Sequence, residues 1–363
     1  MESAGEGRRD YCFRDVLPFS LMVSGECVYM GLNTLFKAAT RRGMSHYVFT
    51  IYIYAIGAAA LLPAAFISHS RSTVLPPPTL RIMSQIGLLG LIGSSSQIMG
   101  YTGIGLSSPT LASAISNLMP ALTFILAVLF RMEKVSLKSR SSQAKIIGTV
   151  LSMLGAFMVT LYQGMPIIFG SKPSFLRRQS LHLPQSNWTL GGILLIGEYI
   201  LVTLWYFIQA QIMKDYPAEL IVVFLYNLCA TLIAAVVGLI AEPNPNAWRV
   251  RGVGLASVLC SGLFVCCLNL SIHTWALRLK GPFYVAMFKP LSIAIAVAMG
   301  VVFLGDTLHL GSLVGSMIIC VGFYTVIWGK VQEEMVEEFA ASRTGSQPDH
   351  QVPLLQNYKA DEV

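Results

Sequence analysis

LIVVFLYNLCATLIAAVVGLIA, residues 220–241, runs for 22 positions without an Asp, Glu, Lys or Arg. At a rise of 1.5 Å per residue, a helix of that length reaches about 33 Å, enough to cross a hydrocarbon core about 30 Å thick. Lipid offers backbone groups no hydrogen bonds, so such a run must satisfy its own and reads as a transmembrane helix.

Working outward from it, the same kind of run recurs along the chain. Before residue 163 the predicted spans are Val16–Phe36, Tyr47–Ile67, Ile82–Gly103, Pro109–Phe130 and Ile146–Tyr162. After residue 188 they are Thr189–Gln209, Leu220–Ala241, Val253–Ala276, Pro282–Leu304 and Leu308–Trp328. The expected fold class is therefore an all-α membrane protein with ten transmembrane helices. Composition agrees: 54% of the residues are hydrophobic, 12% are charged and mean hydropathy is +0.63, against roughly 25% charged in soluble domains. The first run is too long for a signal-peptide core, lacks a small-residue cleavage site and carries Glu26, so it is read as retained. Six of the seven cysteines, Cys27, Cys229, Cys260, Cys266, Cys267 and Cys320, lie inside apolar spans and read as small packing residues.

A net charge of +7 would suggest nucleic acid in a soluble protein. Here the basic residues sit in short loops, where Lys and Arg set orientation. With the N-terminus in the cytosol, sixteen fall on the cytosolic side, eight on the opposite side, and Lys289 inside a span. Both termini are accordingly expected in the cytosol, with a lipid bilayer and a small-molecule substrate as partners and no nucleic acid. Asn187-Trp188-Thr189 forms a glycosylation sequon that abuts the sixth span, too close to the membrane to favour modification.

The polar break at 163–188 separates two five-span halves, 16–162 and 189–328, with residues 1–15 before them and a polar tail, 329–363, after. An odd number of spans per half means that two copies of one fold must be inverted relative to each other. Residue pattern supports a repeat. Gly25-Glu26 and Gly197-Glu198 fall at equal offsets before Lys37-Ala38 and Gln209-Ala210. Asn117–Pro120 corresponds to Phe288-Lys289-Pro290, and Gly148 and Gly155 match the spacing of Gly315 and Gly322. Gly311 and Gly315 form a small-xxx-small pattern that lets helices approach closely, expected here inside the bundle. Beyond Lys330 the sequence VQEEMVEEF predicts a helical extension, followed by disordered chain.

Three runs of the second half, WYFIQAQIMKDYPAEL from Trp205, KGPFYVAMFKPLSI from Lys280 and FLGDTLHLGSLVGSMIICVGFYTVIWGK from Phe303, resemble plant EamA-type members of the drug/metabolite transporter superfamily. In the first half, SPTLASAISNLMPALTFILAVLFRMEKV from Ser108 does so as well. The resemblance extends over Tyr11 to Lys330 and is strongest to the nodulin-like, walls-are-thin-related (UMAMIT) branch. It implies two inverted five-helix EamA-type repeats around a central cavity. It also implies facilitative or exchange transport of amino acids or related metabolites, some relatives carrying auxin.

Ionisable residues at helix centres cost about 2.5 to 3.5 kcal/mol on insertion scales, so each one present needs a reason. Glu26 and Glu198 lie at comparable depths in the first and sixth spans. Either they line the cavity, binding a substrate ammonium group or a coupling proton, or they are packed between helices in hydrogen-bonded form. Lys289, beside Pro290, either meets a substrate carboxylate or extends its long stem toward the interface. Asn117, Gln97, Tyr101 and Asn269 offer neutral hydrogen bonds, and Trp205 an aromatic face. Taken singly, each of these five is more often a packing residue. His273 has no second ligand at metal spacing, so neither metal nor cofactor is assigned. No phosphate-cradling loop, nucleophile elbow or zinc-protease motif is present, which excludes an ATPase within this chain and leaves gradient-driven movement. A non-transporting receptor or scaffold is the competing class.

Overall fold

The computed structural model describes residues 16–71, 79–106, 109–130, 132, 139–162, 164–168, 188–299, 301–302 and 308–343. The expected disordered tail, the Asn187 sequon and most of the 163–188 linker lie outside the described residues.

The first half forms α1 (Leu17–Arg41), α2 (His46–Arg71), α3 (Leu80–Leu106), α4 (Pro109–Ser116), α5 (Met119–Leu129) and α6 (Arg140–Leu161), and the linker after it holds the short strand β1 (Pro166–Ile168). The second forms α7 (Trp188–Asp215), α8 (Glu219–Ala241), α9 (Val253–Ser261), a π-helical segment Gly262–Asn269, α10 (Leu270–Lys280), α11 (Pro282–Met299), β2 (Leu308–His309) and α12 (Leu310–Arg343). Among the described residues, eight helical stretches are long and apolar enough to cross a membrane, with α5 a shorter apolar helix. The two remaining expected spans are the polar-interrupted ones. α1 is 25 residues long but carries Glu26 and Asn33 in its apolar run. The fourth span is broken in two. Pro120 has no N–H to bond the Ser116 carbonyl and its ring would clash there, so α4 stops at Ser116 and α5 restarts with the proline in its first turn.

At the tenth span the expected start is displaced. Leu308 pairs with Ile168 in an antiparallel ribbon, and the helix begins at Leu310, then runs 34 residues, well past Trp328. The helical extension expected after Lys330 is thus present through Arg343.

The helices group into two compact units that cut across the sequence halves. One unit contains spans one to three with six to eight; the other contains α5, α6, α11 and α12, the division falling within α4. In the first unit α2 packs on α8, α3 on both α7 and α8, and α1 along α9, the π segment and α10. Gly57 and Cys266 are the close point between α2 and the π segment: a Cβ on Gly57 would stand 2.7 Å from the Cys266 Cβ. Cysteine acts here as the small residue the sequence suggested.

In the second unit α6 and α12 touch through backbone. A Cβ on Gly148 would stand 2.6 Å from the Gly322 carbonyl oxygen, and one on Gly155 would stand 2.8 Å from that of Gly315. Below this seam the Ser141 hydroxyl donates to the Gly329 carbonyl at 2.7 Å, and the Lys145 ammonium donates to Glu333 Oε2 at 2.7 Å. The outward surfaces are rich in large apolar groups, among them Leu232, Ile240, Leu161 and Phe66, as a lipid-facing surface requires.

Candidate functional site

Six of the eight residues singled out from sequence fall in the first unit and two, Asn117 and Lys289, in the second.

Glu26, in the middle of α1, is 1% exposed. Its Oε1 lies 3.6 Å from Nε2 of His273 on α10, an ion-pair distance. Asn269 and His273 are four residues apart and so share a helix face. The missing side chain of Gly25 makes room for Asn269, whose Cγ would lie 3.4 Å from a Cβ placed there. The pair Gly25-Glu26 on the first span therefore meets the pair Asn269 and His273 on the eighth. The next residue, Thr274, accepts from Gln209 Nε2 of α7 at 2.9 Å, both side chains being buried. The π segment just before His273 widens the helix, and its carbonyls are used from outside and within. Asn227 of α8 donates to the Cys266 carbonyl at 2.9 Å and Ser271 to that of Cys267 at 2.6 Å. π segments recur at functional sites because they re-aim the side chains that follow.

Glu198, on α7, is partly exposed and sits over α3, where a Cβ on Gly100 would be 2.7 Å from its Oε2. Tyr101, the residue after Gly100, lines a small cleft together with Thr50. Gln97, one turn away and exposed, joins Tyr101, Thr50, His46 and Ser94 around a cleft with room for about one water molecule. That cleft is too small for a metabolite.

A shift of 172 residues carries Glu26 onto Glu198, Gln97 onto Asn269 and Tyr101 onto His273. Each glutamate thus meets the other half's third-span equivalent: Glu26 the eighth span, Glu198 the third. An imidazole thus stands beside Glu26, where the matching position of the first half holds a phenol.

Trp205 is buried and lies edge-on to Tyr206 and Tyr226 at centroid distances of 5.6 and 5.5 Å, which is core packing. In the second unit Asn117 is 1% exposed at the break between α4 and α5 and donates to Thr160 Oγ1 at 3.3 Å, the interhelical bond that was its alternative reading. Lys289 is partly buried; Pro290 after it withholds a hydrogen bond from the Ala286 carbonyl, while Ser292 donates to the Lys289 carbonyl at 2.7 Å. Sequence reasoning missed the His273 contact, the Gln209–Thr274 bond and the Lys145–Glu333 pair. The 172-residue shift applied to the third and eighth spans would have found the first; nothing local in the sequence marks the other two.

The profile of the EamA-like transporter family matches residues 19–161. A WAT1-related protein of Arabidopsis thaliana is 54% identical over 370 residues, covering 98% of this chain and 99% of its own. A second one is 51% identical, covering 98% and 96%, and a third is 50% identical, covering 92% and 93%. A crystal structure of a protein 14% identical in sequence superposes with a TM-score of 0.63, covering 87% of this chain and 99% of that one, a likeness of fold.

Proposed function

Since the chain belongs to the plant EamA-type family of WAT1-related drug/metabolite transporters and is a multi-pass membrane transporter, we propose that it moves amino acids or related small polar metabolites by alternating access. The observation that carries this reading is Glu198, a partly exposed carboxylate at mid-helix in an apolar span, set over a glycine. A carboxylate so placed suits a substrate ammonium group. At 100° per residue, Glu198 and Gln209 lie within about 20° on one face of α7. Lys289, in the other unit, is an independent candidate for a substrate carboxylate. Driving force comes from the substrate or ion gradient.

The test is efflux of a labelled amino-acid mixture, with auxin as a separate sample, from vesicles holding the wild type or a correctly inserted Glu198→Gln variant. A charged hydrogen bond is worth about 1.5 to 3 kcal/mol, so saturable wild-type flux should fall about ten- to hundredfold in the variant. Unchanged flux removes Glu198 from the site. Flux of auxin alone replaces the substrate class, and no flux of either supports the scaffold reading.

A further inference from the structure

We propose that Gly100 is a positioning residue of the substrate site: the space left by its missing side chain is a socket that seats the Glu198 carboxylate, and that seat sets how tightly the site holds an ammonium group. The inference rests on the reading of Glu198 as the substrate carboxylate and names what holds that carboxylate in place.

Gly100 is out of keeping with its element. It is buried inside α3, a helix of 27 residues, where glycine is a poorer helix former than alanine because it has more backbone freedom to lose. The backbone there is ordinary helix, so no left-handed conformation calls for glycine. What calls for it is a neighbour on α7. A Cβ built on Gly100 would have as its three nearest heavy atoms the Cδ and both carboxylate oxygens of Glu198, with Cδ at 2.5 Å and Oε2 at 2.7 Å. The carboxylate thus fills the volume where a side chain of α3 would begin. Heavy atoms in favourable contact stand about 3.5–4.0 Å apart, so alanine at position 100 and this carboxylate position exclude each other. The displaced atoms are the far end of a flexible side chain, so the response to a Cβ is a swung carboxylate and not parted helices.

Apolar side chains hold the two helices together on either side of the socket. One residue earlier on each helix the insertion runs the other way: a Cβ on Gly197 of α7 would run into the Met99 methyl of α3. One turn further along α3, a Cβ on Gly103 would lie 2.8 Å from the Leu195 Cγ. A carboxylate seated between these contacts has given up its rotamer freedom on folding, so less is lost when a ligand binds, and its oxygens stand ready where an ammonium group meets them. The 172-residue shift that carries Glu26 onto Glu198 also carries Gly100 onto Ile272. The matching position of the second half therefore bears a β-branched side chain, and a socket of this kind belongs to Glu198.

The test measures KM and Vmax for efflux of labelled neutral amino acids from proteoliposomes, taking singly those that the wild type carries, with thermal unfolding followed in parallel. Gly100→Ala should raise KM at least about tenfold, the scale of one charged hydrogen bond, with little change in Vmax, because what it removes is binding common to the ground and transition states. Glu198→Asp draws the carboxylate back toward α7 by one methylene. Combined with Gly100→Ala it fits beside the new methyl, so the double variant should bind more tightly than Gly100→Ala alone, a non-additive effect that two independent sites would not give. Gly103→Ala, whose Cβ meets Leu195 instead, is the control for helix packing and should leave KM unchanged. An unchanged KM in Gly100→Ala, a double variant that binds no more tightly than Gly100→Ala, or an equal rise of KM in Gly103→Ala each overturns the inference. Where Gly100→Ala alone does not insert, insertion regained on adding Glu198→Asp supports the socket, and failure of both overturns it. Glu198→Gln judges the site reading separately: flux lost there with KM unchanged in Gly100→Ala overturns the socket and leaves Glu198 in the site, while flux unchanged in Glu198→Gln sinks both.

Discussion

Lys145 shows how burial changes the meaning of a charged residue. In the sequence it is one of several cations beside an apolar run and counts toward orientation. In the structure it is the second-largest fully buried side chain, held by Glu333, whose side chain is 22% exposed. Removing one partner of a fully buried pair costs about 3–5 kcal/mol; with Glu333 partly wet, roughly 2–3 kcal/mol is expected for Glu333→Ala in detergent-solubilised protein. Lys145→Met combined with Glu333→Leu should restore most of that loss, because no isolated charge is left inside. Thermal unfolding of the single and double variants checks both values, and a double variant no better than Glu333→Ala would rule out the charge argument. The residue scale is also where sequence reading reached its limit. Glu26, Glu198 and Lys289 stood out because charge is rare in apolar spans. The groups that meet Glu26 and Glu198, however, lie 247 and 98 positions away, at His273 and Gly100, and neither separation is local. Asn117 and Trp205 are both buried among neighbours the sequence does not mark: a polar or aromatic side chain states what it can do, and its neighbours decide which of those things it does.

At the scale of elements, the apolar runs located the helices because length and hydrophobicity are local properties. The breaks were harder. Pro120 was visible, yet whether a proline kinks a helix or divides it depends on whether the neighbouring turn can reform, and here Leu118 N–H bonds Ile115 to close the turn. The π segment has no sequence signal of its own; it is set by the fit of Cys266 against Gly57 and by the bond from Asn227. The α6–α12 seam, in contrast, was legible as matched glycine spacing. Its contacts swap partners: Gly148 with Gly322 and Gly155 with Gly315. This is the reciprocal pattern a two-fold axis produces, where position i meets j and j meets i. Gly155→Leu should force the helices apart at a point where even a Cβ meets carbonyl oxygen. A loss of at least 3 kcal/mol, or failure to fold, is expected by analogy with overpacking of about 1–3 kcal/mol in less rigid cores. Leu at Gly87, where a Cβ meets nothing within 4 Å, is the matched control and should change unfolding by less than about 1 kcal/mol. Equal losses at the two sites would mean the seam is not a close contact.

For the whole molecule, the decisive property is that exchanging each span with the one five places later carries the main helix pairings onto one another. Span two packs on span seven, and five on ten; three meets six as eight meets one; three meets seven as eight meets two. Chain halves related in this way contribute to both compact units, which is why the units cut across the sequence halves. An exchange of this kind with five spans per half requires inversion, and inversion has a consequence for sidedness that hydropathy alone does not supply. If the polar-interrupted α1 and the broken α4–α5 both cross, residue 42 lies opposite the N-terminus and residue 139 lies on the same side as it. If neither crosses, both positions lie on the same side as that terminus. Arg42→Cys and Ser139→Cys, each in a background without other reactive thiols, are therefore expected to label from the outer and the cytosolic face respectively, given the sixteen-to-eight excess of Lys and Arg on the cytosolic side. Impermeant maleimide applied to intact and then to permeabilised cells reads the result directly. Position 42 labelling only after permeabilisation, with position 139 labelling before it, would mean either that α1 alone stays out of the bilayer or that the whole chain is reversed. A tag on the N-terminus separates these: cytosolic in the first case, external in the second. Labelling of position 42 from outside together with a cytosolic tag places Glu26 within a crossing helix.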